Sequence, residues 1–266
     1  MYITKKKSKA VRKYVMCMVV GLLGGPATLS AQERVEASVR ADVVSHYIWR
    51  GKDKAGFSFQ PMVEASWKGL SLKACGSAGL EKGDYQELNL GLSYKLGCFN
   101  VGVTDYWQTG VDQDNRYLYY DTHQGAHQFE ANIGFRSKVF SLQAYTMFGG
   151  NDFRLDGKRA YSTYIELGVP FKLGGLDWET KVGMTPMESS GRWEVQSRET
   201  RDFGLRDVYI RVWDYGEGFS CCSATLRCTK DLDLGVIHMP VYAEVNTNPY
   251  LKKCNLLLGF SIAPSN

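Results

Sequence analysis

Beyond residues 1–31 the chain lacks any run of about 18 or more apolar residues, which excludes a helical membrane protein. It also lacks a Pro/Ser-rich linker, a block of like charge and any low-complexity stretch, so residues 32–266 read as one domain. No spacing of Cys, His, Asp or Glu suggests a metal site or a redox Cys-x-x-Cys, and no cofactor is expected. A helical membrane protein, a metal site and a multidomain chain are thereby set aside.

What stands at the N-terminus is an export signal. Lys5, Lys6, Lys7, Lys9, Arg12 and Lys13 precede an apolar run from Tyr14 to Leu23 and a small-residue end, Ala27-Thr28-Leu29-Ser30-Ala31. The apolar run is too short to span a membrane, and the order of parts is that of a cleaved signal peptide covering 1–31. Cys17 lies inside the apolar run and no Leu-x-Gly-Cys precedes the cut, which argues against a lipoprotein. The chain carries 32 Lys+Arg and 28 Asp+Glu; residues 1–31 hold 6 of the basic residues and none of the acidic ones, leaving 26 against 28, a net of −2. The basic balance of the whole chain therefore belongs to the leader, and no nucleic-acid partner is expected.

In residues 32–266 the pattern is alternation with period two. Val35, Ala37, Val39, Ala41, Val43, Tyr47 and Trp49 share one face, while Glu36, Ser38, Arg40, Asp42, His46 and Arg50 share the other. Successive side chains of a strand point to opposite faces, so this is a strand, apolar on one side and charged on the other. The same alternation recurs in segments such as Leu88 to Leu96, Phe129 to Phe135 and Leu256 to Ile262. Short turns at 68–69, 96–98, 136–138, 172–175 and 229–231 alternate with longer connections at 50–56, 81–84, 108–125, 149–158, 187–217 and 247–253. Strict alternation of short and long connections predicts an all-β, antiparallel, up-and-down transmembrane barrel of about 12 strands, with both termini on the short-turn side. Residues 205–213 fit an extra strand, a hairpin above the membrane or part of the longest loop.

A soluble β-sandwich would alternate in the same way. The membrane reading is favoured by a polar face that mixes tiny and charged residues, and by aromatics at strand ends: Tyr47, Trp49, Trp67, Tyr94, Phe99, Trp107, Tyr161 and Phe171. The expected setting is a Gram-negative outer membrane, with lipid and the barrel-assembly machinery as partners. Of the cysteines, parity turns Cys222 and Cys228 to lipid and Cys75 and Cys221 inward; with Cys98 and Cys254 they are expected as small apolar fillers.

Parity also names candidate sites. The lumen is expected to be lined by Arg40, Asp42, His46, Arg50, Glu64, Lys73, Glu87, Glu130, Glu166, Lys181, Arg227 and Glu244, with Arg136 and Glu179 on the same face. Charges there persist only if paired or wet. The arrangement suits a narrow channel for small hydrophilic solutes; the alternatives are a plugged, binding or structural barrel, or an outer-membrane lipid-modifying enzyme. Such acyl hydrolases pair Ser with His near the outer rim. His123 and His127 sit at that level with Asp105 on the neighbouring strand, but no His-x-Ser is present, so no catalytic residue is assigned and Asp105–His127 is expected as a structural rim pair.

Tyr47-Ile48-Trp49-Arg50-Gly51 with Gln60-Pro61, Tyr85-x-Glu87-Leu88, Asp105-Tyr106-Trp107, and His127-Gln128-Phe129-Glu130 after a Tyr-rich loop (Tyr117, Tyr119, Tyr120) resemble small outer-membrane proteins of the Bacteroidetes type; Pro240 and Asn248-Pro249 complete the likeness. The resemblance spans most of 32–266 and implies an outer-membrane barrel. That family has no assigned activity, so it supplies no catalytic residues. The region 187–217 and the six cysteines depart from its pattern.

If the leader reading is right, N-terminal sequencing of membrane-derived protein begins near Gln32; recovery of Met1 contradicts it.

Overall fold

A computed structural model describes residues 35–81, 85–109, 114–201 and 204–265. The expected leader, 1–31, lies outside the described residues. Twelve antiparallel strands form the wall: β1 (Glu36–Val44), β4 (Ser58–Trp67), β5 (Leu70–Gly79), β6 (Gln86–Leu96), β7 (Phe99–Gln108), β8 (His127–Arg136), β9 (Ser141–Gly150), β10 (Thr163–Leu173), β11 (Leu176–Thr185), β14 (Ser220–Lys230), β16 (Val241–Asn248) and β17 (Lys253–Pro264). Each pairs with the next in chain order, and β17 returns to β1 through Ala41↔Ile262, Asp42↔Ser261, Val43↔Phe260 and Val44↔Gly259. The sheet is closed, so each wall strand has a neighbour on both sides. This is the all-β transmembrane barrel that the alternation predicts.

Register keeps the two faces separate. Leu72, Leu92 and Val103 follow one another across β5, β6 and β7 on the outer face, and Tyr94, Val101 and Ile133 do so across β6, β7 and β8. All six are exposed. A continuous apolar band left uncovered around a closed barrel is the surface that lipid acyl chains cover in barrels of this kind. The inner face is polar, and its buried members include Asn89, Gln143, Glu244 and Asn246. Tight turns are built from positive-φ pairs, Lys68-Gly69 and Gly174-Gly175, as two-residue hairpin turns of the primed types require.

The structure corrects the sequence reading in four places. Alternation continues past Val44, but β1 ends there. Ser45-His46 form a bend, and 47–55 make a separate hairpin of β2 (Tyr47–Trp49) and β3 (Lys52–Ala55). The connection expected at 229–231 runs from 231 to 240 and contains β15 (Ile237–His238), which pairs with the end of β17. The connection opposite, expected at 247–253, is the short 249–252, so short and long connections do not alternate strictly. Finally, the register between β11 and β14 shifts at Gly183/Met184, and Cys222 turns inward, buried with Tyr164 and Tyr215, instead of facing lipid. A bulge adds one residue and reverses parity beyond it.

The long region 187–217 contains a further hairpin, β12 (Gly191–Arg201) with β13 (Gly204–Trp213), outside the twelve-stranded wall. Cys75, Cys98, Cys221, Cys222, Cys228 and Cys254 are all free thiols.

Substituting Leu92 by Arg, which places a charge in the apolar band, is expected to cost about 2–4 kcal/mol near the bilayer midplane. Thr104→Arg, one residue from Val103 but facing the lumen, is expected to cost much less. Urea titration of refolding into vesicles measures both, and equal losses would overturn the face assignment.

Candidate functional site

The hairpin β2–β3 folds into the barrel and crosses it. Its turn is Arg50-Gly51, with φ of 50° and 78°. Glycine is required at 51, where a Cβ would lie 1.9 Å from the Cys222 carbonyl oxygen. Arg50 holds a left-handed conformation that costs a non-glycine residue about 1 kcal/mol, and its side chain offsets this. The guanidinium donates from Nη1 to Glu130 Oε2 at 2.6 Å and from Nη2 to Glu130 Oε1 at 2.9 Å, a bidentate pair with β8. Nη1 also donates to Tyr215 Oη at 2.8 Å. The rings of Trp49, Tyr145 and Tyr164 lie 4.4–4.7 Å from its central carbon. Tyr106 Oη donates to Glu130 Oε1 at 2.9 Å, completing the carboxylate's shell.

Three further ties hold the hairpin. At its base, Tyr47 Oη donates to Glu87 Oε1 at 2.6 Å; Glu87 also accepts from Tyr85 and Asn89. At its tip, Asn248 Nδ2 of β16 donates to the Gly51 carbonyl at 3.2 Å. On β3, Lys52 pairs with Asp214, which also accepts from Ser190 Oγ at 2.5 Å. Asp214 lies in the connection from β13 to β14. Burial works to raise its pKa, but Lys52, Lys54 and the Ser190 hydroxyl together hold the carboxyl well below the usual carboxylate range. Ile48 packs on the buried cluster Val44, Tyr242 and Leu257 beside the bend.

The hairpin divides the interior. One cavity of about 700 Å³ lies on its loop side, with Lys52, Lys54, Tyr85, Arg192 and Asp214 among its lining residues. Another of about 750 Å³ lies on the short-turn side, lined by Arg50, Glu64, Lys73, Lys95, Arg136 and Glu166 among others. Trp49 lines both.

Against this geometry the lumen candidates fall into three groups. Glu87 and Glu130 hold the hairpin, and Arg50 belongs to the hairpin instead of the wall. Arg40 pairs with Asp42 at 3.2 Å, Arg227 with Glu244 at 2.6 Å, and Lys181 with Glu179 at 3.2 Å and Glu166 at 4.0 Å, all on the inner wall. Glu64 and Lys73 are register partners on β4 and β5 lining the second cavity. His46 is the exception: it is exposed in the bend before the hairpin and lines nothing. Tyr47 and Trp49, expected at the lipid interface, are the hairpin's inward-held aromatics. Tyr106, which bonds Glu130, and Tyr145, Tyr164 and Tyr215, which surround Arg50, were missed. The first three could have been found as large aromatics in phase with the polar positions of β7, β9 and β10.

At the outer rim, His127 Nδ1 lies 2.8 Å from Asp105 Oδ1 and Nε2 lies 2.5 Å from the Tyr117 carbonyl. Both ring nitrogens therefore face oxygen acceptors. Tyr120 stacks on the imidazole at 4.0 Å between centroids, and the residue is 1 % exposed. Within the same loop Asp121 accepts from the Gln124 and His123 amides, which lower its pKa. With both nitrogens engaged and no serine hydroxyl bonded to it, His127 is a clasp for the loop over it.

The fold and its polar, partitioned interior define a transmembrane β-barrel. No protein-family model matches the chain, and no curated protein matches it. Among solved structures it is similar to a porin refined at 1.8 Å, at 13% identity over 80% of this chain, with a TM-score of 0.34. The chain spans 62% of that porin's length. It is also similar to a protein from a study of in-meso crystallization of membrane proteins, at 10% identity over 86% of this chain and 83% of the other, with a TM-score of 0.39.

His127→Ala is expected to speed proteolysis within 114–125 several-fold while leaving the heat-modifiable electrophoretic mobility of the barrel unchanged. Unchanged cleavage would remove the clasp role.

Proposed function

We propose that the protein is an outer-membrane channel for small hydrophilic solutes, constricted by the inward hairpin 47–55. The observation that carries this reading is the pair of polar cavities, about 700 and 750 Å³, one on each side of the hairpin and both touching Trp49. A scaffold with a packed interior has no need of two such spaces, whereas a channel needs both and a constriction between them. The outer-membrane setting is supported by the closed sheet and its apolar band, and by the leader expected at 1–31.

The hairpin's ties to β6, β8, β16 and the 214 connection favour one competing reading, a permanently plugged barrel. Arg50 and Glu130 are buried, with side-chain exposures of 8% and 2%. Removing one partner from such a pair leaves an uncompensated charge, at about 3–5 kcal/mol. The lipid-modifying reading gains no support from His127, whose nitrogens are both engaged.

Planar-bilayer recording of refolded protein separates the two. Wild-type protein is expected to give small discrete steps, and replacing 47–55 by a short Gly/Ser link is expected to enlarge them several-fold. Arg50→Ala should give larger and noisier steps. Equal conductance with and without the hairpin would rule it out as the constriction, and silence from both would favour a non-conducting barrel.

A further inference from the structure

Charge on the inner wall is distributed unevenly. From β10 through β11, β14, β16 and β17 to β1, the cations Lys181, Arg227 and Arg40 each have a carboxylate within 4.0 Å. From β4 to β8 the pattern differs. Lys73 on β5, Lys95 on β6 and Arg136 on β8 have no ion-pair partner among the described residues, and all three are exposed although they point into the barrel. Long cations that stay exposed on an inner face are standing in water, so this part of the lumen is wet.

All three line the cavity of about 750 Å³ on the short-turn side. The other charged groups facing that cavity are Arg50, Glu64 and Glu166. Arg50 is neutralised by Glu130. Glu166 accepts from Tyr164 Oη at 3.0 Å and lies 4.0 Å from Lys181. Lys181 is shared with Glu179, which is nearer at 3.2 Å, so Glu166 keeps its charge, as does Glu64, which accepts from Ser66 Oγ at 3.4 Å. Lys73, Lys95 and Arg136 against Glu64 and Glu166 leave a local charge of +1, three minus two. A volume of that size is about 9 Å across, close to the Debye length of about 8 Å at physiological salt, so mobile ions inside cannot screen the wall fully. Lys and Arg lining a confined aqueous path raise the local anion concentration and oppose cations.

We propose that the inner chamber makes the barrel selective for small anions, with Lys73, Lys95 and Arg136 as the selectivity-determining residues. This rests on the channel reading above and names the class of solute the channel takes. The three side chains come from β5, β6 and β8 at the short-turn end of the lumen, beyond the hairpin. Solutes that pass the hairpin therefore meet them in either direction. The paired half of the wall adds no positive field, since Lys181, Arg227 and Arg40 each have a carboxylate within 4.0 Å.

The test is the reversal potential of refolded protein in a potassium chloride gradient across a planar bilayer, on wild type and on the variant with 47–55 replaced by a Gly/Ser link. Chloride is expected to be several-fold more permeant than potassium in both. The triple change Lys73→Glu, Lys95→Glu and Arg136→Glu is expected to reverse the sign of the potential, with heat-modifiable mobility confirming that the barrel is folded. If the triple variant does not fold, the single Lys95→Glu change, at the exposed mouth, should still shift the potential towards potassium. Current without chloride preference, or a preference unmoved by these changes, overturns the selectivity while leaving the channel. No current from either the wild type or the hairpin-replaced variant overturns the channel and the selectivity with it.

Discussion

Lipid offers no hydrogen bonds to a peptide backbone, and everything else in this molecule follows from that constraint. A sheet that crosses the hydrocarbon layer has to close, so β17 pairs with β1 and every wall strand has two neighbours. Closure then assigns one face of each strand to acyl chains and leaves the other to a confined space. The outer face is uniform, since Leu, Val, Ile and Phe suffice there. The inner face must satisfy each polar group by pairing or by water, and the two solutions are used in different sectors of the wall.

The hairpin is where the pairing solution is taken furthest. A guanidinium caged by aromatic rings and gripped by a buried carboxylate would be costly if either charge lacked its partner. Here the bidentate Glu130 contact, the Tyr215 and Tyr106 hydroxyls and three ring faces leave neither group short. The strain at Arg50 is local, and it aims the side chain at the opposite wall. The barrel is thus divided by a polar cross-member, where a soluble domain of this size would have an apolar core.

How much of this was legible in the sequence depends on the range of the interaction. Alternation such as Leu88, Leu90, Leu92 and Tyr94 against Glu87, Asn89 and Ser93 is a local property, so strand identity and face were readable. Asp105 and His127 were readable as neighbours because parity and one connection place them together, and the structure pairs them at 2.8 Å. The hairpin was not readable, because Tyr47 and Trp49 keep the apolar phase of β1 across Ser45-His46 and look like interface aromatics. What turns the hairpin inward is Tyr47 on Glu87 and Arg50 on Glu130, 40 and 80 residues apart, and no local pattern carries that information. Cys222 was misplaced for a smaller reason: one extra residue at a bulge flips everything read by parity.

The hairpin's anchors also fix an order of assembly. Residues 47–55 are made early, yet their partners lie on β6, on β8, in the connection before β14 and on β16, close to the end of the chain. The latch cannot be complete until nearly the whole cylinder exists. During insertion the wall therefore has to hold together on backbone pairing and its lipid-facing band alone, and the earliest loop of the chain is the last part to settle.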